Sequence, residues 1–170
     1  MMNSRSSDSI TLRDAKLEDL PAILEIYNEA ILNSTATFDL EPNSIDSRRT
    51  WFLKHNMHYP LVIAEIDGKV AGYCCISPYA EKKGYARTVD LSVYVHKEYR
   101  RKGVATALMN EIISRARSLG YHAIVSSISS SNHESVSLHK KFGFEFCGCL
   151  RQLGYKFGEW QDVSYYELLM

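Results

Sequence analysis

Residues 93 to 105 read Val-Tyr-Val-His-Lys-Glu-Tyr-Arg-Arg-Lys-Gly-Val-Ala. A β-prone run ends in a basic loop holding one glycine, and an amphipathic helical pattern follows at once. Strand, basic turn and helix N-terminus together make an anion site out of backbone: the N–H groups of the first helical turn lack intrahelical partners, and the helix dipole favours negative charge there. Gly103 lets the chain approach an anion with no side chain in the way. Arg100, Arg101 and Lys102 add charge and donors. The other reading of this stretch is a solvated basic turn. Two titratable groups stand out beside it. Asp90 interrupts an apolar, β-prone strand, where a carboxylate is disfavoured unless it has work to do. His139 lies on a short helix and, as an imidazole, titrates near neutrality, so it can serve as acid or base. Their plainer readings are a strand-surface carboxylate and a packing or capping histidine.

The elements that must position these groups follow from periodicity. Ile10–Arg13 is a short strand, and Leu17, Leu20, Ile23, Ile26, Tyr27, Ala30 and Ile31 recur at helical spacing. Residues 35–43 form a loop. Ser44 suits the N-cap of a second helix running to about Met57. Leu61–Ile66, Asp67-Gly68 and Lys69–Ser77 read as a β-hairpin. Arg87–Val95 is a strand. Gly103–Leu119 is the strongest helix, with Val104, Leu108, Ile112, Ala116 and Leu119 on one stripe and Gly120 closing it. Ala123–Ser129 is a strand, Asn132–Phe142 a helix stopped by Gly143, and Phe144–Leu150 and Val163–Met170 two last strands. The segment between those strands, with Gly154, Gly158 and Trp160, reads as a loop. The expectation is a single mixed α/β domain over residues 10–170 behind a disordered Ser-rich lead over residues 1–9.

The totals exclude several classes. Lys plus Arg number 20 and Asp plus Glu 20, for a formal net charge of zero. A general nucleic-acid binder carries a basic excess, so the local cluster at 97–102 gains meaning. No apolar run reaches the length of a membrane span, and the first residues lack the apolar core of a signal peptide. The protein is therefore expected in the cytoplasm, with no membrane or nucleic-acid partner. The cysteines, Cys74, Cys75, Cys147 and Cys149, lack zinc-ligand spacing and read as buried, reduced thiols. His55 and His58 would share a helix face without a third ligand, so no metal is expected.

Two segments together carry a resemblance. Arg100-x-x-Gly103-x-Ala105 after a strand, and Asn132-x-x-Ser135-x-x-Leu138-His139-Lys140-Lys141-Phe142-Gly143-Phe144, resemble the two acetyl-CoA motifs of the GNAT superfamily of N-acetyltransferases; Ala105 departs from a common glycine. Ile26-Tyr27-Asn28, Ser34–Phe38, Arg49–Phe52, Tyr85–Val95 and Gly154–Val163 resemble the phosphinothricin and methionine sulfoximine acetyltransferase branch. The resemblance implies the GNAT fold, a mixed, mostly antiparallel sheet flanked by helices. It also implies acetyl-CoA as donor, a small amino-acid-like amine as acceptor, and a homodimer. On that basis the backbones of Val93, Tyr94 and Val95 pair with the pantetheine, and the N–H groups of Arg101, Lys102, Gly103, Val104, Ala105 and Thr106 hold the pyrophosphate. Asn132, Ser135 and Lys141 complete the donor site together with Arg100. Asp90 stands where the family commonly has Glu and would take the amine's proton, directly or through water, and His139 stands where many relatives carry a tyrosine that protonates the departing thiolate. Phe38, Lys83, Gly84, Tyr85 and Arg87 would border the acceptor. A different acceptor (a polyamine, an aminoglycoside, a protein N-terminus) and a non-catalytic acetyl-CoA sensor remain as alternatives.

Overall fold

The computed structural model describes residues 9–170; the lead expected over residues 1–9 lies, up to residue 8, outside the described residues. Seven strands form one sheet: β1 (Thr11–Asp14), β2 (Leu61–Ile66), β3 (Lys69–Pro78), β4 (Thr88–Val95), β5 (Ala123–Ser129), β6 (Glu145–Lys156) and β7 (Glu159–Leu169). Four α-helices accompany them: α1 (Leu20–Asn33), α2 (Ile45–Phe52), α3 (Val104–Ser118) and α4 (His133–Lys141). The spatial order is β1-β2-β3-β4-β5-β7-β6, antiparallel throughout except for the β4–β5 pair. The mixed α/β architecture read from the sequence is the observed one.

Strand alternation divides the interior between the two faces of the sheet. On one face Val62, Ala64, Cys74, Ile76, Val89, Leu91, Ile124 and Ile128 pack with Val104, Leu108, Met109, Ile112, Ile113 and Ala116 of α3. On the other, Leu61, Ile63, Tyr73 and Cys75 meet Ile23 and Ile26 of α1, with Trp51, Phe52 and Tyr94 against them. Apart from Trp51, Phe52 and Tyr94, which are half-buried, both groups consist of almost fully buried side chains. Burial of this kind is worth roughly 1.5–3 kcal/mol per large apolar side chain, which fixes α1 and α3 rigidly on opposite sides of β4.

One irregularity makes the site. β4 pairs with β5 only over Thr88–Asp90 against Ala123–Val125. β4 nonetheless continues to Val95, still bonded to β3, and β5 continues to Ser129, still bonded to β7. The two central strands therefore part after Asp90 and Val125, and the facing backbone edge of residues 91–95 is left without a strand partner.

Three expectations are corrected. The second helix ends at Phe52 and not near Met57, because the Asn56 side chain captures the N–H groups of His58 and Tyr59 in a turn that precedes Pro60. His55 and His58 thus share no helix face. The presumed loop between the last two strands is strand: β6 and β7 form a long hairpin closed by Phe157-Gly158, whose positive φ values of 55° and 73° suit a two-residue hairpin turn. Register shifts at Phe146/Gly148 and Leu150/Gly154 break the apolar alternation that would have revealed it. Finally, Cys74 and Cys75 are buried, but Cys147 and Cys149 are exposed on the edge strand, and all are free thiols.

Candidate active site

The opening between β4 and β5 is a cleft of about 530 Å³. Leu91 to Val95 line one wall and Ser126 to Ser129 the other, with Arg101 and Gly103 to Thr106 at one end and Asn132, Ser135 and His139 beside them. Gly103 takes φ +84°, the left-handed conformation that turns the chain into α3, and Arg101 before it is also left-handed at φ +62°. A side chain in that region costs about 1–2 kcal/mol, which glycine avoids. The first residues of α3, whose N–H groups lack intrahelical partners, line the cleft at this turn. These groups fit an elongated, amide-bearing donor ending in phosphates: a free strand edge on one side, a helix N-terminus for the anion.

Most of the expected donor-site residues come together there. Val93, Tyr94, Val95, Arg100, Arg101, Gly103, Val104, Ala105, Thr106, Asn132 and Ser135 all line the cleft. Arg100 is also ion-paired to Glu29 of α1 at 2.9 Å, which ties the basic loop to that helix. Asn132 caps α4 by accepting from the Ser135 N–H, so its amide NH₂ remains as a donor. Lys102 and Lys141 lie outside the cleft lining; the Lys102 ammonium sits 5.5 Å over the Tyr99 ring.

A second cavity, of about 400 Å³, abuts the first. Ala36, Leu91, Ser92, Tyr94, Ser127 and Ser129 belong to both. Asp90 is the one charged residue among its lining, which otherwise offers Thr35, Thr37, Phe38, Leu153, Gly154, Val163 and Tyr165. Asp90 alternates with Val89 and Leu91, so it faces away from α3, toward the α1 side. Burial pushes its carboxyl up to about 6, against a weaker opposing hydrogen bond from the Leu91 backbone.

His139 occupies the opposite face. It is buried, and its Nδ1 lies 2.7 Å from the Ser135 carbonyl oxygen. A carbonyl only accepts, so Nδ1 carries the proton and Nε2 accepts, at 3.1 Å, from the Ser126 hydroxyl. Burial lowers its pKa and holds the ring neutral. Its ring also stands edge-on to Phe144. The two candidate proton-handling groups therefore flank the fork from opposite sides of the sheet.

Sequence reasoning missed Ser126, Ser127 and Ser129, because a serine in a strand carries no mark until its neighbours are known. It also missed the hairpin residues Leu153, Gly154, Val163 and Tyr165. Conversely, Lys83, Gly84, Tyr85 and Arg87 line neither cavity. Residues 83–85 form an exposed helical turn, Tyr85 packs edge-on against Tyr79, and the Arg87 guanidinium donates twice to the Gly120 carbonyl at 3.1 and 2.8 Å. They sit at the end of β4 where it still pairs with β5 and no cleft opens.

A sheet forked beside a helix N-terminus, with a buried carboxyl at the fork, suits a transferase that takes its group from an elongated, phosphate-bearing donor. The sequence profile of the Acetyltransferase (GNAT) family matches residues 20–144, and the chain belongs to that family. An L-methionine sulfoximine/L-methionine sulfone acetyltransferase of Pseudomonas aeruginosa is 39% identical over 162 residues, 94% of either chain. Among solved structures, an N-acetyltransferase from Staphylococcus aureus superposes with a TM-score of 0.92 at 40% identity, covering 95% of this chain and 98% of that one. A GNAT superfamily phosphinothricin acetyltransferase from Sinorhizobium meliloti, in complex with AcCoA, gives 0.91 at 34% identity, covering 95% and 88%. No group of three or more metal-ligating side chains occurs among the described residues.

Proposed function

We propose that the chain acetylates the α-amine of a small amino acid or analogue of the methionine sulfone, methionine sulfoximine or phosphinothricin type. The observation that carries this reading is the position of Asp90: a carboxyl raised to about 6, alone in charge in a small cavity that meets the donor cleft at the fork. Acetyl-CoA supplies an acetyl thioester, held along the free edge of β4 and at the N-terminus of α3. Asp90 receives the acceptor's ammonium as its counter-ion and takes a proton from it, directly or through one water, freeing the lone pair for attack. An α-amine titrates near 8. Raising the carboxyl from 3.8 to about 6 makes Asp90 a stronger base and narrows the gap to the amine relative to an ordinary aspartate.

The hydroxyls of Ser92, Ser127 and Ser129 line the junction and can donate to the acceptor's acid group. His139, neutral and with Nδ1–H tied to Ser135, orients the Ser126 hydroxyl on the donor side. A single carboxylate in so small a cavity suits one compact amine better than a polycation. The free thiols agree with a reducing cytoplasm. A homodimer is supported by the β6–β7 hairpin, where Phe146, Leu150, Leu153, Tyr155, Phe157 and Trp160 are each at least half exposed on or beside an unpaired edge strand.

The test is CoA release from acetyl-CoA against methionine sulfone, methionine sulfoximine, phosphinothricin, the ordinary amino acids, spermidine, an aminoglycoside and a short peptide. Saturable turnover on the first three supports the reading. Turnover confined to the last three would discard the acceptor class, and CoA binding with no turnover on any amine would point to a sensor.

A further inference from the structure

Residues 34–39, between α1 and α2, belong to no helix or strand, and residues 35–38 among them form a wall of the acceptor cavity. Other elements hold this wall in place. From α1, the Tyr27 hydroxyl donates to Asp39 at 2.7 Å and meets Thr37 Oγ1 at 2.9 Å. From β4, the Tyr94 hydroxyl donates to the Ala36 carbonyl at 3.3 Å. From β6, the buried Lys156 ammonium donates to the Thr37 carbonyl at 2.8 Å. Within the wall, the Phe38 ring occupies the space over Gly154 of β6. A Cβ on residue 154 would lie 2.5 Å from Phe38 Cε1, 2.7 Å from Cδ1 and 2.9 Å from Cζ. No side chain fits between them, so bare backbone is the seat of the ring. Gly154 has no need of positive φ; its lack of a side chain serves only this contact.

We propose that Phe38, seated on Gly154, is the gauge that sets which acceptor side chains the cavity accepts. This rests on the acetyltransferase reading above. Both residues line the cavity that holds Asp90, and neither lines the donor cleft. The ring is clamped on both sides in sequence, at Thr37 and Asp39, so it closes the cavity toward β6 as a fixed wall. A methyl group on residue 154 must push the ring by about 1 Å to reach ordinary van der Waals separation. Removing the ring opens the cavity toward the hairpin.

The experiment is kcat/KM by CoA release for alanine, methionine sulfone and phenylalanine, in wild type, Phe38→Ala, Gly154→Ala and the double variant. Phe38→Ala is expected to raise phenylalanine relative to alanine at least tenfold. Gly154→Ala is expected to raise the methionine sulfone KM about tenfold while the acetyl-CoA KM stays within twofold. The double variant should match Phe38→Ala alone, since no ring remains to be displaced. A double variant that keeps the full Gly154→Ala defect, or unchanged side-chain ratios in Phe38→Ala, overturns the gauge alone. Should Gly154→Ala fail to fold, the Phe38→Ala ratios decide. Wild-type silence on every amino acid overturns the proposed reaction and the gauge with it.

Discussion

Asp90 is costly to keep. Its carboxyl titrates at about 6 in the folded protein because burial disfavours the charge, against an ordinary value of 3.8. A folded pKa above the unfolded one means that stability is fully present below pH 3.8 and falls as pH rises through about 6. Asp90→Asn removes that cost. It should raise stability by roughly 1–3 kcal/mol at pH 8, with no gain at pH 3.5; denaturant unfolding at both pH values checks it, and an equal gain at both would place the effect elsewhere. The same variant should lose at least a hundredfold in kcat with little change in acetyl-CoA affinity. In wild type, kcat/KM for the acceptor should fall on the acid side with an apparent pKa about 6, and a profile flat down to pH 5 would remove Asp90 as the base. Asp90 was legible because a carboxylate amid Val, Leu and Val contradicts its strand. Ser126 was not: a serine is at home in many strands, and only His139, thirteen positions later, gives it meaning.

Elements were legible wherever the chemistry changes abruptly. The step from the β-prone run at 93–95 to the helical stripe from Val104, with a glycine between, marks strand, turn and helix without any tertiary information. Gly103 sits at φ +84°, so Gly103→Val strains the turn as well as crowding its anion site. CoA affinity should drop at least tenfold by calorimetry while the melting temperature falls only a few degrees; unaltered affinity would remove the helix N-terminus from the donor site. The fork was illegible, because nothing in residues 88–95 or 123–129 tells how far two parallel strands stay paired. The hairpin was illegible for a different reason. Gln152 at φ +54° and shifts at Gly148 and Gly154 break the two-residue period, so residues 151–162 present themselves as a loop. The cost fell on the acceptor cavity, since Leu153, Gly154, Val163 and Tyr165 supply a wall of it. With that wall hidden, the cations of the 83–87 turn were the nearest candidates in sequence, though not in space.

At the scale of the molecule, the question is what covers the last strand. Among the described residues β6 ends the sheet with no strand beyond it, and its residues from Glu145 to Tyr155 are exposed or half-buried. Edge strands of soluble proteins are usually blunted by charge, proline or a covering segment. This one instead presents Phe146, Leu150, Leu153 and Tyr155, with Phe157 and Trp160 at the hairpin tip. With net charge zero, there is no strong self-repulsion to keep copies of the chain apart. A closed, symmetric pairing through the hairpin would bury these side chains and remove the exposed edge. Sedimentation equilibrium should therefore find twice the chain mass at micromolar concentration. Leu150→Glu with Trp160→Glu should shift the species to the single-chain mass, because two desolvated carboxylates on each copy offset what the apolar contacts contribute. A wild type that stays at the single-chain mass across the concentration range would mean that the hairpin is solvated. Since Leu153 and Gly154 lie on this same hairpin and line the acceptor cavity, a monomeric double variant should also show a raised acceptor KM while its acetyl-CoA KM, set on the far side of the fork, stays where it was.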